Sequence, residues 1–137
     1  MQSTDGSQPS TPVGRIRWPA YVKETVIQGD QVEVLPDENG ARVIMCRGSF
    51  DLDTLAPFAA AAQAAAVDPS VRRIILDMSH VSFADSSLLN LLVVLHRTGR
   101  LILAGPLPDR VTQLLQLTGM DAVLTIAEGL PGARALP

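Results

Sequence analysis

The feature that most constrains the fold is a regular alternation of short apolar segments with helix-forming segments. "RRIILDMS", with a strand predicted from Arg72 to Met78, and "RLILAGP", from Arg100, have the length and aliphatic content of buried strands. Each is followed by a segment with helical spacing, which begins near Asp85 in the first case and near Pro108 in the second. Strands separated by single helices are usually parallel neighbours joined by right-handed crossovers. The alternation therefore predicts an α/β domain with a mostly parallel sheet.

A hairpin and a first helix precede this alternation. Valines alternate with polar residues from position 32, and Asn39-Gly40 then provides a strong turn signal, so the hairpin would add one antiparallel edge strand. The alanine-rich segment after it predicts a helix capped by Asp53 or Thr54. A last short strand, "DAVLTI", completes the order β-β-α-β-α-β-α-β. The predicted architecture is a mixed, mostly parallel sheet with the helices packed on one face.

The length and composition predict one folded domain with extensions at both ends. The chain has 137 residues, of which 47% are hydrophobic, enough for a single core. Residues 1–14 are mostly Ser, Thr, Gln, Gly and Pro and predict a disordered tail. Residues 15–30 are predicted to be an arm around Trp18, expected to fold back on the domain or on a partner. The domain itself is predicted at residues 31–128, with a frayed end at residues 129–137.

Composition and charge argue against several classes of protein. A formal net charge of -3 offers no basic excess for nucleic-acid phosphates. The longest aliphatic run, Leu91–Leu95, is too short to span a membrane, and the N-terminal segment has no apolar core typical of a secretory signal. Cys46 is the single cysteine, and His80 and His96 do not complete a metal site with it. We predict a cytoplasmic protein without metal or cofactor.

Sites in a sheet of this kind form where loops leave the carboxyl ends of parallel strands. Three such loops are predicted: Gly48–Asp51, Phe83–Ser87 and Ala104–Pro106. If the second and third strands are parallel neighbours, Asp51 and Ser86 approach each other from different loops. No clear general base accompanies them, since His80 lies upstream, and no glycine-rich phosphate loop with a lysine is present. We predict that the protein is not an enzyme and that this edge receives chemistry from another protein.

Ser86 has two interpretations on these grounds. Ser and Asp are preferred N-cap residues, so the "DSS" triplet can be a helix cap and nothing more. A serine at a helix N-terminus is also a suitable phosphate acceptor, because the first-turn N–H groups and the helix dipole stabilise the added charge. Spacing alone favours the cap.

Two segments resemble a known family. "VSFADSSLL" after "RRIILDMS" resembles the strand, Asp-Ser-Ser/Thr loop and helix of the STAS domain, the family of anti-sigma factor antagonists that also occurs at the end of sulphate transporters. "GSFDLDTLAPF" is similar to the family's Gly-x-Leu-Asp segment before its first helix. The resemblance covers about residues 31–127 in element order. It departs from the family after the serines, where the usual Gly-Leu-Gly is replaced by Leu88-Leu89-Asn90.

The resemblance implies partner switching. An unphosphorylated antagonist of this family binds an anti-sigma factor with a histidine-kinase-like ATPase fold, and thereby frees a sigma factor. The anti-sigma factor phosphorylates the serine directly after the motif Asp, and a PP2C-type phosphatase removes the phosphate. Carried over to this chain, the acceptor is Ser86, with Ser87 as its neighbour. Asp85 caps the helix and presents the serine, and Asp51 is the acidic companion from the adjacent loop.

The helix that begins at Ser86 has two predicted faces. The core stripe has the i, i+3, i+4, i+7 spacing and consists of Leu88, Leu91, Leu92 and Leu95. The opposite face is predicted to bind a partner, and it consists of Leu89, Asn90, Val93 and Arg97 beside Ser86. The alternative is that all seven aliphatic side chains of this helix belong to the core.

The sequence thus predicts an anti-sigma factor antagonist, with no nucleic-acid or membrane partner and with a homodimer left open. The alternative from another class is a STAS scaffold or dimerisation module without a phosphate switch, in a stressosome-like or lipid-transport assembly. A small serine hydrolase is the least favoured, because its base is missing.

Overall fold

The computed structural model describes residues 31–136, so the predicted tail and the arm around Trp18 lie outside the described residues. Five strands are present in this range: β1 (Val32–Val34), β2 (Ala41–Phe50), β3 (Arg73–Ala84), β4 (Leu101–Ala104) and β5 (Ile126–Ala127). Four α-helices are present in it: α1 (Ala56–Val67), α2 (Ser86–His96), α3 (Asp109–Thr118) and α4 (Leu130–Ala135), with a 3-10 turn at Met120–Ala122.

The strands form one sheet in the order β1-β2-β3-β4-β5. β1 pairs with β2 antiparallel, and the remaining neighbours pair parallel. The hairpin turns at Asn39 and Gly40, which both have positive φ angles, 54° and 79°. Such angles are required by a two-residue hairpin turn, and Asn-Gly adopts them at little cost. The predicted mixed, mostly parallel α/β sheet with an antiparallel edge strand is confirmed.

Both faces of the sheet are covered. The larger core lies on the face of Ile44, Ile74 and Leu76, where α1, α2 and α3 pack, as predicted for the three crossover helices. The smaller core lies on the opposite face, around Val43 and Ile75, and is covered by α4. Alternate residues of a strand point to opposite faces, so a continuous aliphatic run such as the one in β3 needs cover on both sides.

The end of the chain differs from its prediction. Residues from 129 onward were expected to fray, but α4 forms there and buries Ala133 against the second face of the sheet. Leu130 and Leu136 pack partly buried against the same cluster. The prediction was wrong for α4 because only the folded sheet creates the apolar surface on which so short a helix is stable.

Strand lengths also differ from the pattern-based expectation. β3 was expected to end at Met78, but it continues to Ala84 and stays paired with β2 through two register shifts. Conversely, most of "DAVLTI" is not a strand, because Asp121 lies in the 3-10 turn and β5 has only two residues. The loop expected to begin at Gly48 therefore begins only at Asp51, since Gly48 is still within β2.

Candidate functional site at the carboxyl edge of the sheet

The site begins where β3 passes directly into α2. Asp85 has an extended backbone conformation, and its carboxylate accepts a hydrogen bond from the backbone N–H of Ser87 at 2.8 Å. This is the N-cap that the sequence predicts, and it places Ser86 at the first helical position. The Ser86 side chain is exposed, and no hydrogen bond joins it to another side chain or to the backbone within residues 31–136.

The neighbouring strand ends at the same level of the sheet. Phe50, the last residue of β2, is the register partner of Ala84, the last residue of β3. The backbone N–H of Asp85 donates to the Phe50 carbonyl oxygen at 3.3 Å. Since both strands end together, the loops that begin with Asp51 and Asp85 leave the sheet side by side, as the strand order predicts.

Asp51 closes a compact turn before α1. Its Oδ1 accepts from the backbone N–H of Asp53 at 3.0 Å and of Thr54 at 3.1 Å, and lies 3.0 Å from the Thr54 hydroxyl oxygen. The Thr54 hydroxyl in turn accepts from the Asp51 N–H at 3.0 Å. The prediction that Asp53 or Thr54 caps α1 was wrong: the N-cap is Leu55, which makes no side-chain capping bond.

The predicted difference in burial between the two faces of α2 is confirmed. The core stripe is fully buried, and so is Val94 at 5% exposure; the stripe residues are Leu88, Leu91, Leu92 and Leu95. On the opposite face, Asn90 and Arg97 are exposed, while Leu89 and Val93 are half-buried. Leu89 nevertheless packs against the larger core, so the alternative that all seven aliphatic side chains belong to the core is wrong for Val93 only.

The two positions at which this chain departs from the glycines of the resembling family differ in environment. Leu88 is 0% exposed, so its side chain is part of the larger core. Asn90 is exposed on the outer face of α2. Only Asn90 therefore changes the surface that a partner meets beside Ser86.

Two features of this edge were not predicted. Leu52, the residue after Asp51, is 60% exposed although it is a large aliphatic side chain. Arg110 in the first turn of α3 holds its guanidinium carbon 5.5 Å from the centre of the Phe83 ring, a cation–π contact. The sequence signal for an exposed Leu52 is its position between two aspartates, Asp51 and Asp53. The contact between Phe83 and Arg110 has no such signal, because it depends on the fold alone.

A second polar cluster lies within β3, below the site. The Ser79 hydroxyl is 2.7 Å from Asp77 Oδ1 and 3.1 Å from Nδ1 of His80. Asp77 is 7% exposed, and its Oδ1 also accepts from the Ser79 N–H at 3.1 Å. A carboxylate only accepts hydrogen bonds, so the hydroxyl proton points to Asp77 and not to the imidazole.

Other reactive groups are sparse in this part of the chain. Cys46 is buried in β2, and burial raises the pKa of its thiol, which keeps it protonated and unreactive. Within residues 31–136, no group of three or more His, Cys, Asp and Glu side chains could hold a metal ion. Over the same residues, no helix is long and apolar enough to cross a membrane.

Comparison with known proteins identifies a family to which the chain is similar. The family model described as "Mlab, STAS domain" matches residues 35–126. No curated protein matches the sequence.

Solved structures share the fold. The anti-sigma factor antagonist SpoIIAA in its unphosphorylated form has 25% identity and a TM-score of 0.59, over 70% of this chain and 87% of that one. An anti-sigma factor antagonist from Mycobacterium paratuberculosis has 24% identity and a TM-score of 0.59, over 80% and 96%. The Bacillus cell fate determinant SpoIIAA in its phosphorylated form has 24% identity and a TM-score of 0.56, over 70% and 90%.

Proposed function

The chain belongs to the STAS domain family, and from that premise we propose that it is an anti-sigma factor antagonist controlled by phosphorylation of Ser86. In this proposal, the unphosphorylated protein binds an anti-sigma factor with a histidine-kinase-like ATPase fold. Binding frees a sigma factor in the cytoplasm, and phosphorylation by the same partner ends the interaction. A PP2C-type phosphatase restores the binding form.

The observation that carries the proposal is the exposed Ser86 side chain at the start of α2, directly after the capping Asp85. A kinase needs a hydroxyl that it can reach, and Ser86 has no bond to another described side chain that would have to break first. The positive end of the helix dipole stabilises a phosphate at this position, while the N–H groups of Ser87, Leu88 and Leu89 remain bonded to Asp85. Phosphorylation would therefore leave the fold intact while changing the surface.

The partner would dock on the outer face of α2 beside Ser86. Leu89 and Val93 supply half-buried aliphatic surface, while Asn90 and Arg97 supply exposed polar groups. A central apolar contact with a polar rim is typical of protein–protein interfaces. We include Leu52 in this docking surface, because it is exposed and comes directly after Asp51 at the neighbouring strand end.

The electrostatic effect of the phosphate explains the release of the partner. A phosphoserine adds about -1.5 to -2 charges at pH 7. The charge would join Asp85, the adjacent residue, and Asp51, at the end of the paired strand. The unphosphorylated hydroxyl is neutral, so a partner can cover it. A phosphate at the same place would have to be desolvated beside two carboxylates when the partner docks, which disfavours the complex.

The proposal is tested with the full chain and purified candidate anti-sigma ATPases. We expect ATP-dependent phosphate on Ser86, located by mass spectrometry. Ser86→Ala should bind the partner and resist release by ATP, whereas Ser86→Asp should bind at least about tenfold more weakly, because one added charge opposes docking. Gln116→Glu, an exposed position on α3, is the matched control for an added charge.

Two outcomes would contradict the proposal. One is the absence of phosphate on Ser86 with every partner that binds. The other is equal affinity of Ser86→Ala and Ser86→Asp for the partner, since the charge would then be irrelevant to binding.

A second candidate function is a STAS subunit of a larger assembly that works without phosphate, such as a stressosome-like or lipid-transport complex. It is favoured by Asn90, whose side chain stands on the outer face of α2 where the resembling family has a glycine. Stable partner binding that ATP never reverses would support this candidate.

A further inference from the structure

Three arginines gather at the amino edge of the sheet, the edge opposite to Ser86. Arg72 and Arg73 stand at the start of β3, and Arg100 directly precedes β4. These strands are parallel neighbours, with Ile74 in register with Leu101, so their starting ends lie side by side. The three arginines line one open pocket of about 250 Å³, together with Gly99, Leu101, Ile102, Thr125 and Leu136.

The pocket arginines have no acidic partner among the described residues, unlike Arg42, Arg47 and Arg134. Within residues 31–136, the ion pairs of arginines with carboxylates are those of Arg42 with Asp37 and Asp68, of Arg47 with Glu33 and of Arg134 with Glu38. The hydrogen bond from Arg42 lowers the pKa of Asp37, as expected for a paired carboxylate. No described carboxylate neutralises the pocket in this way, although the whole chain carries a net negative charge.

Two of the guanidinium groups are held in place by carbonyl oxygens. Arg100 donates from Nη1 to the Val71 carbonyl at 2.5 Å and from Nη2 to the Ala66 carbonyl at 2.7 Å. Arg73 donates from Nη1 to the carbonyl of Leu136. These neutral acceptors orient the side chains without cancelling their full charges. Each guanidinium has five N–H donors, so donors remain for a ligand.

The third arginine, Arg72, passes close to Gly40 in the hairpin turn. A Cβ atom built on Gly40 would come within 2.7 Å of Nε of Arg72, so the side chain passes closely over the hairpin turn. The backbone N–H of Arg72 also donates to the Gly40 carbonyl at 2.6 Å. The Arg72 side chain therefore passes over the turn and is exposed, where an anion can reach it.

The geometry points to a binding site for a small phosphate-type oxyanion in this pocket, held by Arg72, Arg73 and Arg100. Planar guanidinium groups bind phosphate oxygens in pairs, and several of them together bind a multiply charged tetrahedral anion better than chloride. Thr125 lines the same pocket. The concave shape favours a small anion over the flat acidic surface of a protein. The site lies at the edge opposite to Ser86, so its ligand need not compete with the proposed partner.

The test measures anion binding to the full chain by isothermal titration calorimetry at constant ionic strength. We expect saturable binding of inorganic phosphate and of phenyl phosphate, and none of chloride. Tighter binding of phenyl phosphate would assign the site to an organic phosphate ester, and tighter binding of inorganic phosphate to the free ion. Arg72→Gln should weaken binding by roughly fivefold or more, since a charged donor to the anion is lost.

The matched control is Arg47→Gln, which removes the same charge from a strand position that already has an acidic partner. It should change phosphate affinity by less than about twofold, because that charge faces Glu33. The inference is overturned if no saturable phosphate binding occurs, or if both variants weaken binding equally. It is also overturned if heparin binds and phosphate does not, since the arginines would then form a general basic surface.

Discussion

The two strand ends at the carboxyl edge of the sheet carry the same residue type and use it differently. Asp51 after β2 accepts hydrogen bonds from two backbone N–H groups, and its turn also engages the hydroxyl of Thr54. Asp85 after β3 makes one capping bond, to the N–H of Ser87, and the Ser86 hydroxyl stays exposed. One turn is closed on itself, and the other is open to a partner.

The difference arises from the distance between each aspartate and the next helix. After Asp51 the chain makes a full turn before α1 begins, so the carboxylate and Thr54 satisfy donors within the loop. After Asp85 the helix begins at once, and the N–H groups of Ser87, Leu88 and Leu89 donate to the carboxylate or the carbonyl of Asp85. The closed turn stabilises the fold through its own side chains, whereas the helix start leaves the Ser86 hydroxyl exposed at the positive end of the dipole.

The largest expected effect tests whether Leu88 anchors α2, the helix that follows the open turn, in the larger core. Leu88→Ala should lower the free energy of unfolding by about 3 kcal/mol, because it leaves a cavity in the larger core. Asn90→Ala, on the exposed face of the same helix, should stay within about 0.5 kcal/mol. Urea unfolding followed by circular dichroism measures both. Similar effects of the two changes would mean that Leu88 is not a core residue.

The next effect compares the two aspartates directly. Asp51→Ala should cost about 2 kcal/mol, because several donors in the closed turn lose their acceptor. Asp85→Ala should cost about 1 kcal/mol, the usual value for one N-cap bond. The same urea experiment gives both values. A larger loss for Asp85→Ala would reverse the assignment of the closed and the open turn.

The smallest effect compares the two hydroxyls. Thr54→Val keeps the shape of the side chain and removes its hydrogen bonds, which should cost about 1 kcal/mol. Ser86→Ala removes a hydroxyl that makes no described hydrogen bond, so the change should stay below about 0.5 kcal/mol. Thermal unfolding of the two variants beside the parent chain measures the difference. Equal losses would show that Ser86 has a structural role as well.

Much of the fold could be predicted from local patterns. The strand–helix alternation predicted the parallel crossovers, and Asn39-Gly40 predicted the hairpin, because periodicity and positive-φ turns are properties of short segments. The length of β3 beyond Met78 was not predictable in the same way. Its polar residues pair with β2 through register shifts, and such pairing depends on a strand that lies far away in the sequence.

The elements that carry the candidate residues were predicted more fully than the contacts that these residues make. The Asp-Ser-Ser triplet marked the start of α2, because N-cap preferences act within a few residues. The role of Asp51 as an acidic companion of Ser86 stays a prediction, whereas the structure shows that its carboxylate holds its own turn. The contact of Arg110 with Phe83 was not foreseen, because it joins α3 to the end of β3 across the fold.

By itself, the sequence determined the order and type of the elements before α4, the cap of α2 and its apolar stripe. These depend on backbone preferences and on the 3.6-residue period, which neighbouring residues specify. Tertiary structure alone decided that Leu52 is exposed, that α4 forms at all, and that Arg72, Arg73 and Arg100 share one pocket. Burial and charge clustering depend on which distant segments meet, and only the assembled sheet brings those segments together.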